Sequence, residues 1–287
     1  MKGLRLVEVK LQEINQLIHA HVATLAYPLD SWLEDRLFEA DIYKLMLNQK
    51  CAGYAAINKD LLQFFYVRQE YFHLASTILE TVVEEKIIQR IFVISQDTLL
   101  NALIAEWNFD RKPQAWFFTD SQRVIEPRET GEHVQFIIAA ESDLTRIREI
   151  AGEFFDETGG GFSSLAERVA GGTVFLLQNP KSLLGCGIIE KSRLNTRHVS
   201  IGMFTNPYFR HNGVATTILL KLKEWVYTQH LLPLAGCWYY NTLSRKSLEA
   251  AGMMATAVGF VAVLKGKEKL PLGTVSPSGE LVEVNKG

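Results

Sequence analysis

Short runs of β-branched and aromatic residues alternate along this chain with stretches whose apolar residues recur at helical spacing. The first kind of run is typical of strands and the second of amphipathic helices, so the chain is predicted to have a mixed α/β (α+β) fold. In the first 120 residues the predicted strands are LRLVEV, IYKLML, AGYAAI, LLQFFYV, RIFVIS and AWFF, and the predicted helices are LQEINQLIHAHVATL, LASTILETVVEEKI and TLLNALIAEWNF.

A polar segment, TDSQRVIEPRETGEH, contains Pro127 and Gly131 and is predicted to be a linker. It separates a first domain (1–120) from a second (133–265), with the linker at 121–132 and a tail at 266–287. In the second domain the predicted strands are HVQFIIAA, TVFLLQ, LLGCGIIEK, HVSIGMF, LAGCWYY and AVGFVAVLK, and the predicted helices are DLTRIREIAGEFF, SSLAERVA, ATTILLKLKEWVYTQ and SRKSLEAA.

The two parts of the chain resemble each other. AGYAAI at 52–57 matches LGCGII an offset of 184 − 52 = 132 later, and ASTIL from Ala75 matches ATTIL at 215 − 75 = 140. DTLLNALIAEWNF from Asp97 matches NTLSRKSLEAAGM from Asn241, at an offset of 144. Matches in the same order with slowly growing offsets indicate two copies of one fold. The alternative is chance similarity between short apolar strings.

Composition and charge exclude several classes of protein. The 287 residues are 47% hydrophobic, and 30 basic against 32 acidic residues give a net charge of −2. This balance gives no reason to expect nucleic acid or a membrane as a partner, and no apolar stretch approaches the roughly 18 residues of a membrane helix. Cys51, Cys186 and Cys237 lack metal-ligand spacing, so no metal is predicted. They are interpreted as buried thiols of a cytoplasmic protein, and the sequence does not indicate an oligomeric state.

One turn has the parts of a phosphate cradle. The strand SIGMFT and Pro207 are followed by Arg210 and Gly213, and a predicted helix then buries Leu219 and Leu222. A helix start offers N–H groups without internal partners and a partial positive charge, and a glycine lets an anion approach them closely. An ordinary strand-to-helix turn is the alternative. The turn is neither GxxxxGK[ST] nor GxGxxG, which argues against nucleoside triphosphates and dinucleotides.

This turn and the segment after it resemble the GNAT family of N-acetyltransferases. TNPYFRHNGVA is similar to the family's (R/Q)-x-x-G-x-(G/A) pyrophosphate loop, and PLAGCWYYNTLSRKSLEAAGM is similar to its next segment. Asn241 and Ser244 fill the Asn-x-x-Ser positions, and Gly252 and Met253 stand at the family's Gly-Phe. The resemblance implies two tandem GNAT-like domains, each a mostly antiparallel mixed sheet flanked by helices.

The resemblance also implies a function. An N-acetyltransferase of this kind moves an acetyl group from acetyl-CoA to a primary amine of a small molecule or peptide, by direct attack of the amine. The alternatives are a degenerate acyl-CoA-binding or regulatory module, and a structural protein that retains the fold. The cofactor-binding positions implied are Met203, Phe204 and Thr205 for the pantetheine, Arg210, His211, Asn212, Gly213, Val214, Ala215 and Thr216 for the pyrophosphate, and Asn241 and Ser244 near the pantetheine arm.

The resemblance is weakest for the groups that transfer protons. A tyrosine acid often stands seven residues after the motif asparagine, and that position is Leu248 here, so Tyr239, Tyr240 or a water would take the role. Tyr240 is the predicted donor and Glu190 the predicted base. His198 is a second candidate base, and a solvated charge at a strand end is the alternative for Glu190.

Two further features bear on the acceptor. Asp156 and Glu157, beside the glycines of TGGGF, are candidates to meet a cationic amine, although an exposed helix end explains them equally well.

In the first copy, Glu70 and His73 fall where the second has the arginine and glycine of its loop. Glutamate repels a pyrophosphate and histidine obstructs the backbone, so the first copy is predicted not to bind CoA. It is predicted to pack on the second copy and close off part of the acceptor site.

Overall fold

The structure is a computed structural model that describes residues 3–126, 133–152, 164–269, 274–275 and 281–282. Asp156, Glu157 and the glycine run beside them lie outside the described residues. The strands are β1 (Leu4–Val9), β2 (Asp41–Leu47), β3 (Lys50–Asn58), β4 (Leu61–Val67), β5 (Arg90–Ile94), β6 (Trp107–Asp120), β7 (Gln135–Ile138), β8 (Val174–Gln178), β9 (Leu183–Lys191), β10 (His198–Thr205), β11 (Leu232–Trp238), β12 (Met253–Lys269), β13 (Thr274–Val275) and β14 (Leu281–Val282).

Half of the described α-helices begin where a short polar side chain accepts a backbone hydrogen bond. Asp30, Asp97, Ser164 and Asn241 each accept an N–H from three residues later, which satisfies one donor that a helix start leaves unpaired. The helices are α1 (Asn15–Val22), α2 (Ser31–Phe38), α3 (Ala75–Glu85), α4 (Thr98–Ile104), α5 (Leu144–Ala151), α6 (Leu165–Ala170), α7 (Val214–Thr228) and α8 (Thr242–Ala250). In the described part of the chain, no helix has the length and apolarity needed to span a bilayer.

Three elements differ from the sequence prediction. The helix predicted over TLLNALIAEWNF ends at Ile104, because Trp107 and Phe109 already belong to β6, where Phe109 stacks on Phe260 of β12. The strand predicted as AWFF is fourteen residues long. It accommodates Pro113 through a register shift opposite Gly259 and Phe260, where a strand tolerates proline. Helix α2 was not predicted from the sequence.

Twelve strands form one sheet in the order β1-β2-β3-β4-β5-β12-β6-β11-β10-β9-β8-β7. Strands β7 to β12 of the second copy are the equivalents of β1 to β6 of the first. The order read from β7 inward matches the order read from β1 inward, so the two copies are arranged symmetrically about the β12–β6 pair. Described neighbours are antiparallel except for β4 with β5 and β10 with β11. The predicted architecture, two units with mostly antiparallel mixed sheets flanked by helices, is confirmed.

The two copies exchange their last strands. The final strand of the second copy, β12, lies between β5 and β6 of the first, and β6 lies between β12 and β11. Each copy therefore completes its sheet with a strand from the other. A buried ion pair reinforces this arrangement, because Asp120 at the end of β6 lies 2.8 Å from Lys223 Nζ of α7.

The helices cover both faces of the sheet. On β6, Phe117 packs into the cluster beneath α1 and α2, whereas its neighbour Phe118 packs into the cluster beneath α7 and α8. Successive strand residues point to opposite faces, so these helix pairs lie on opposite sides. Helices α3 and α4 share the α7 side, and α5 and α6 share the α1 side. A space open through the sheet between β10 and β11 therefore meets α7 and α8 on one side and α2 on the other.

Candidate functional site

Strands β10 and β11 separate part of the way along their length. Their parallel ladder ends at Ser200 opposite Leu234. Beyond this point β10 continues against β9 as far as Thr205, while β11 continues against β6 as far as Trp238. The split leaves an opening through the sheet whose edges are backbone atoms of two diverging strands.

A cavity of about 500 Å³ occupies this opening. Ser200 and Met203 of β10, together with Gly236 and Cys237 of β11, line its edges, and Leu219 of α7 closes one side. The volume lies within the range of small-molecule sites, which is roughly 300–1,000 Å³. The first copy contributes Asp30, Ser31, Trp32, Ala115 and Phe117 to the opposite side. The cavity is thus built from both copies.

The predicted cradle lies at the start of α7. Gly213 precedes the helix in the left-handed region with φ 78, His211 is also left-handed with φ 65, and no side chain caps the helix. Asn206 is buried and fixes the beginning of this loop, because its Nδ2 donates to the Leu183 carbonyl and its Oδ1 accepts from the Tyr208 N–H. A glycine at φ 78 and an uncapped helix start suit an anion, so the residues present fit a pyrophosphate.

The Asn-x-x-Ser segment forms the start of α8. Asn241 Oδ1 accepts from the Ser244 N–H at 3.0 Å, which caps the helix, and both residues line the cavity. Met203 also lines it, whereas the loop from Arg210 to Thr216 lies at the start of α7. Leu219 is five residues into α7, so the helix start is roughly 7 Å from that wall along the helix axis. The structure thus brings Met203, Asn241 and Ser244 together at one cavity, with the loop nearby.

Of the residues considered for proton transfer, some lie in the cavity wall and others lie outside it. Glu190 lines the cavity, and its Oε2 lies 3.7 Å from Nη1 of the buried Arg168. Tyr240 is 77% exposed and is not part of the cavity wall described here. Tyr239 stacks on Trp116 at 5.2 Å. Leu248 is buried in the cavity wall, so the position of a frequent tyrosine acid carries no exchangeable proton.

Two other ionisable groups near the split strands are neutral at pH 7. His198 begins β10, and burial followed by the charge of Arg197 lowers the pKa of its imidazole. Cys237 lines the cavity, and burial raises the pKa of its thiol to about 11, although a hydrogen bond with Ser244 opposes the shift. Cys237 and Ser244 are therefore proton-bearing groups beside Asn241.

Asp30 is a cavity residue that the sequence analysis did not identify. It is 5% exposed, and its Oδ1 accepts from the Leu33 N–H at 2.9 Å as the cap of α2. Its other oxygen, Oδ2, faces β11 so closely that a Cβ built on Gly236 would come within 2.5 Å of it. In the described part of the chain, Asp30 makes no ion pair. Glycine at 236 thus leaves room for this carboxylate beside β11.

Asp30 belongs to a group of acidic side chains. Burial, together with the smaller effects of the charges of Glu34, Asp35 and Glu190, raises the pKa of Asp30 to about 7, and the hydrogen bond from the Leu33 N–H opposes this shift. Arg193 pairs with Glu34 and with Asp35. Glu34 also accepts the backbone N–H groups of Arg193 and Leu194 from the second copy. Arg193 is thus paired with the carboxylates of Glu34 and Asp35, which neighbour Asp30.

The pKa of Asp30 predicts a pH-dependent stability. Because its pKa is about 7 when folded and 3.8 when unfolded, the folded state holds a proton that the unfolded state loses between these values. Stability should therefore fall as pH rises from 4 to 7. The difference corresponds to roughly 4 kcal/mol at 1.36 kcal/mol per unit. Asp30→Asn should raise Tm by several degrees at pH 8 and change it little at pH 4, as measured by calorimetry. Equal changes at both pH values would contradict this assignment.

The equivalent region of the first copy is built differently. Before α3 the chain forms a 3-10 helix, Gln69–Leu74. The residue that precedes α3, Leu74, has φ −111, whereas the residue that precedes α7, Gly213, is left-handed. Asp97, the counterpart of Asn241, lies 3.5 Å from the buried His21, whose Nδ1 is hydrogen-bonded with Tyr54 Oη at 2.8 Å. Side chains of the first copy thus pack around the cap of α4.

A sequence signal for Asp30 does exist. Asp30 precedes a segment with Leu33 and Leu37 one helical turn apart, an acid in its first turn and Arg36 in its last. This is the pattern of a capped amphipathic helix. It would have found α2 and its cap, but not the contact with Gly236, because that residue lies 206 positions away (236 − 30).

Comparisons with known proteins agree with this architecture. Residues 10–121 match the family model described as an acetyltransferase (GNAT) domain. A search of curated proteins finds no match to the chain. An acetyltransferase of the GNAT family from Colwellia psychrerythraea has a similar solved structure, with 19% identity, a TM-score of 0.77 and coverage of 91% of this chain and 99% of that chain.

Two further solved structures are similar over nearly their whole length. A GCN5-related N-acetyltransferase from Sphaerobacter thermophilus has 11% identity and a TM-score of 0.61, covering 93% of this chain and 98% of that chain. A tandem GNAT protein from the clavulanic acid biosynthesis pathway has 13% identity and a TM-score of 0.57, covering 92% of this chain and 100% of that chain. At sequence identities of 11–19%, these comparisons show that the chain shares the fold of these proteins. The chain has the fold of tandem GNAT proteins, and its residues 10–121 match a GNAT acetyltransferase domain.

Proposed function

We propose that this tandem GNAT protein is an acetyl-CoA-dependent N-acetyltransferase whose acceptor is a primary amine of a small molecule or peptide. Acetyl transfer in general is supported by the GNAT acetyltransferase domain. The observation that carries the finer proposal is the cavity between β10 and β11, which has carboxylates in its wall and the uncapped start of α7 nearby. We also propose the domain division 1–120 and 133–265 as the division of the chain into copies.

The donor side of the proposal rests on α7 and β10. Acetyl-CoA would supply an activated thioester carbonyl. Backbone N–H groups from His211 to Thr216 would bind its pyrophosphate, because three of them begin a helix and have no intrahelical partner. Met203, Phe204 and Thr205 lie on the strand that separates from β11, where backbone groups can bind the pantetheine. Asn241 and Ser244 would flank the same arm from α8.

The acceptor side rests on the wall that α2 and β9 form. Trp32 and Trp238 pack edge to face at 5.7 Å, and both line the cavity. Glu190 and Asp30 lie in the same wall. Aromatic faces and carboxylates attract a cationic amine, and the cavity holds it next to the donor, so proximity supplies part of the rate. The first copy would then serve as the acceptor wall of the second, and we propose that it does not bind CoA itself.

Direct binding and turnover measurements test this proposal. Calorimetry should show binding of CoA and acetyl-CoA to the full chain, and thiol release from acetyl-CoA should depend on added tryptamine, tyramine, agmatine or spermidine. CoA binding without thiol release for any amine in a broad panel would favour an acyl-CoA-binding module. If neither CoA nor acetyl-CoA bound, the proposal would be refuted and only the fold would remain.

A further inference from the structure

We propose that Asp30, supplied by the first copy, is the catalytic base that removes a proton from the acceptor ammonium in the cavity of the second copy. This inference rests on the proposed function. Asp30 lies in the cavity wall with one oxygen held by the Leu33 N–H and the other directed at β11 beside Gly236. The second oxygen is the one available to a bound amine.

The pairing of the cavity carboxylates favours Asp30 over Glu190. Glu190 lies 3.7 Å from the buried guanidinium of Arg168, so a cation already balances its charge. In the described residues Asp30 is contacted by no cation, and its single hydrogen bond fixes only Oδ1. An ammonium group in the cavity would therefore be the cation that Oδ2 lacks, and binding it would relieve the unfavourable burial of a carboxylate.

The protonation state of Asp30 suits a base at neutral pH. Burial, followed by the charges of Glu34, Asp35 and Glu190, brings the pKa of Asp30 to about 7, and Arg193 pairs with two of these neighbours. A base with a pKa near the working pH is ionised in part and still binds a proton firmly. Cys237, the remaining titratable group in the wall, stays a neutral thiol because burial raises its pKa.

The proposed reaction converts an ammonium and a thioester into an amide and a thiol and releases one proton. Asp30 Oδ2 takes one proton from R–NH₃⁺ and leaves the nitrogen lone pair free. The nitrogen forms a bond to the thioester carbonyl carbon, the carbon–sulfur bond breaks, and the sulfur leaves with the bonding pair. The nitrogen loses a second proton, the sulfur gains one to become the free thiol, and the proton on Asp30 passes to solvent. The products are the amide, the thiol and one released proton.

The experiment is Asp30→Asn in the full chain. Asparagine caps a helix as well as aspartate, so the Leu33 hydrogen bond and the fold are kept while the proton acceptor is lost. With the best amine of the panel named above, kcat should fall by roughly 100-fold or more, the range of general-base catalysis. The Kd for CoA, measured by calorimetry, should not change. The rise of kcat with pH that is centred near pH 7 in the wild type should disappear.

A matched variant controls for the loss of a capping carboxylate. Asp97 caps α4 through the same bond, from the Leu100 N–H at 3.0 Å, and lies outside the cavity wall described here. Asp97→Asn should therefore keep the wild-type kcat and pH profile. Asp30→Ser, which also caps, replaces Asp30→Asn if the latter does not fold.

The outcomes separate the two proposals. A wild-type chain that binds acetyl-CoA and acetylates an amine, together with an Asp30→Asn variant of equal kcat and unchanged pH profile, would overturn the role of Asp30 alone. A wild-type chain that neither binds acetyl-CoA nor releases thiol would overturn the proposed function, and the role of Asp30 with it.

Discussion

Replacing Gly213 with tryptophan is expected to weaken CoA binding by at least about 100-fold. Gly213 stands in the left-handed region immediately before α7, and an indole there would cover the N–H groups of the first helical turn. Hydrogen bonds to a charged group contribute roughly 1.5–3 kcal/mol each, so the loss of two such bonds accounts for this factor. Isothermal titration calorimetry with CoA measures the change directly.

Gly172 offers the matched control for this substitution. It is also left-handed, with φ +66, and a Cβ built there meets no atom within 4 Å among the described residues. Gly172→Trp therefore imposes a similar backbone strain, about 1–2 kcal/mol, away from α7. Both variants should lose a few degrees of Tm, and only the variant at 213 should lose affinity. Wild-type affinity in Gly213→Trp would refute the pyrophosphate assignment.

Neither half of the chain is expected to fold when it is produced alone. Residues 1–126 lack β12, which pairs with both β5 and β6, and residues 127–287 lack β6, which pairs with β11. Separation also leaves Lys223 or Asp120 buried without its partner, which costs about 3–5 kcal/mol. Each isolated half should show no cooperative thermal transition in circular dichroism and no dispersed amide spectrum.

Co-expression of the two halves is the control. Supplied together, they can exchange β6 and β12 as in the intact chain, so they should co-purify and unfold in one cooperative transition. A sharp transition in the isolated first half would show that its sheet is stable without β12, and the exchange would then be a minor contribution to stability.

The elements that were predictable from sequence are those set by local pattern. The strands LRLVEV, LLQFFYV and LLGCGIIEK were each predicted with the observed boundaries, because runs rich in apolar and aromatic residues are typical of strands. Gly213 was predicted to matter because a glycine before a helix lets an anion approach the N–H groups closely, and the structure adds that this glycine is left-handed. The duplication could be recognised in the sequence because equivalent elements kept similar residues. For example, the matched segments that begin at Asp97 and Asn241 both start with a helix-capping side chain.

The elements that were missed depend on contacts between distant residues. Strands β6 and β12 would show the same alternation whichever neighbours they paired with, so pattern alone assigned each of them to its own copy. Asp30 caps a helix of only eight residues, and its relation to the cavity arises only because α2 of the first copy packs beside β11 of the second. The GNAT motifs identify the donor side and contain no information on that wall.

The equivalent glycines of the two copies illustrate what local pattern retains. A Cβ on Gly53 would come within 1.9 Å of the Tyr66 carbonyl oxygen, and one on Gly185, which is 132 positions later, within 2.4 Å of the Phe204 carbonyl oxygen. Both are therefore close-approach glycines on equivalent strands, β3 and β9. This constraint belongs to the sheet and holds in both copies, although the turns before α3 and α7 differ.

The exchanged strands also set the order in which the protein can be completed during synthesis. Strand β5 pairs with residues of β12 that lie between 259 − 94 = 165 and 263 − 90 = 173 positions later. At about 5–20 residues per second, the ribosome needs roughly 8–35 s to make the intervening chain. During this interval the β5 edge has no partner, and an open edge is a template for pairing with other chains. Strand β12, the last strand of the twelve-stranded sheet to be synthesised, therefore closes both halves at once.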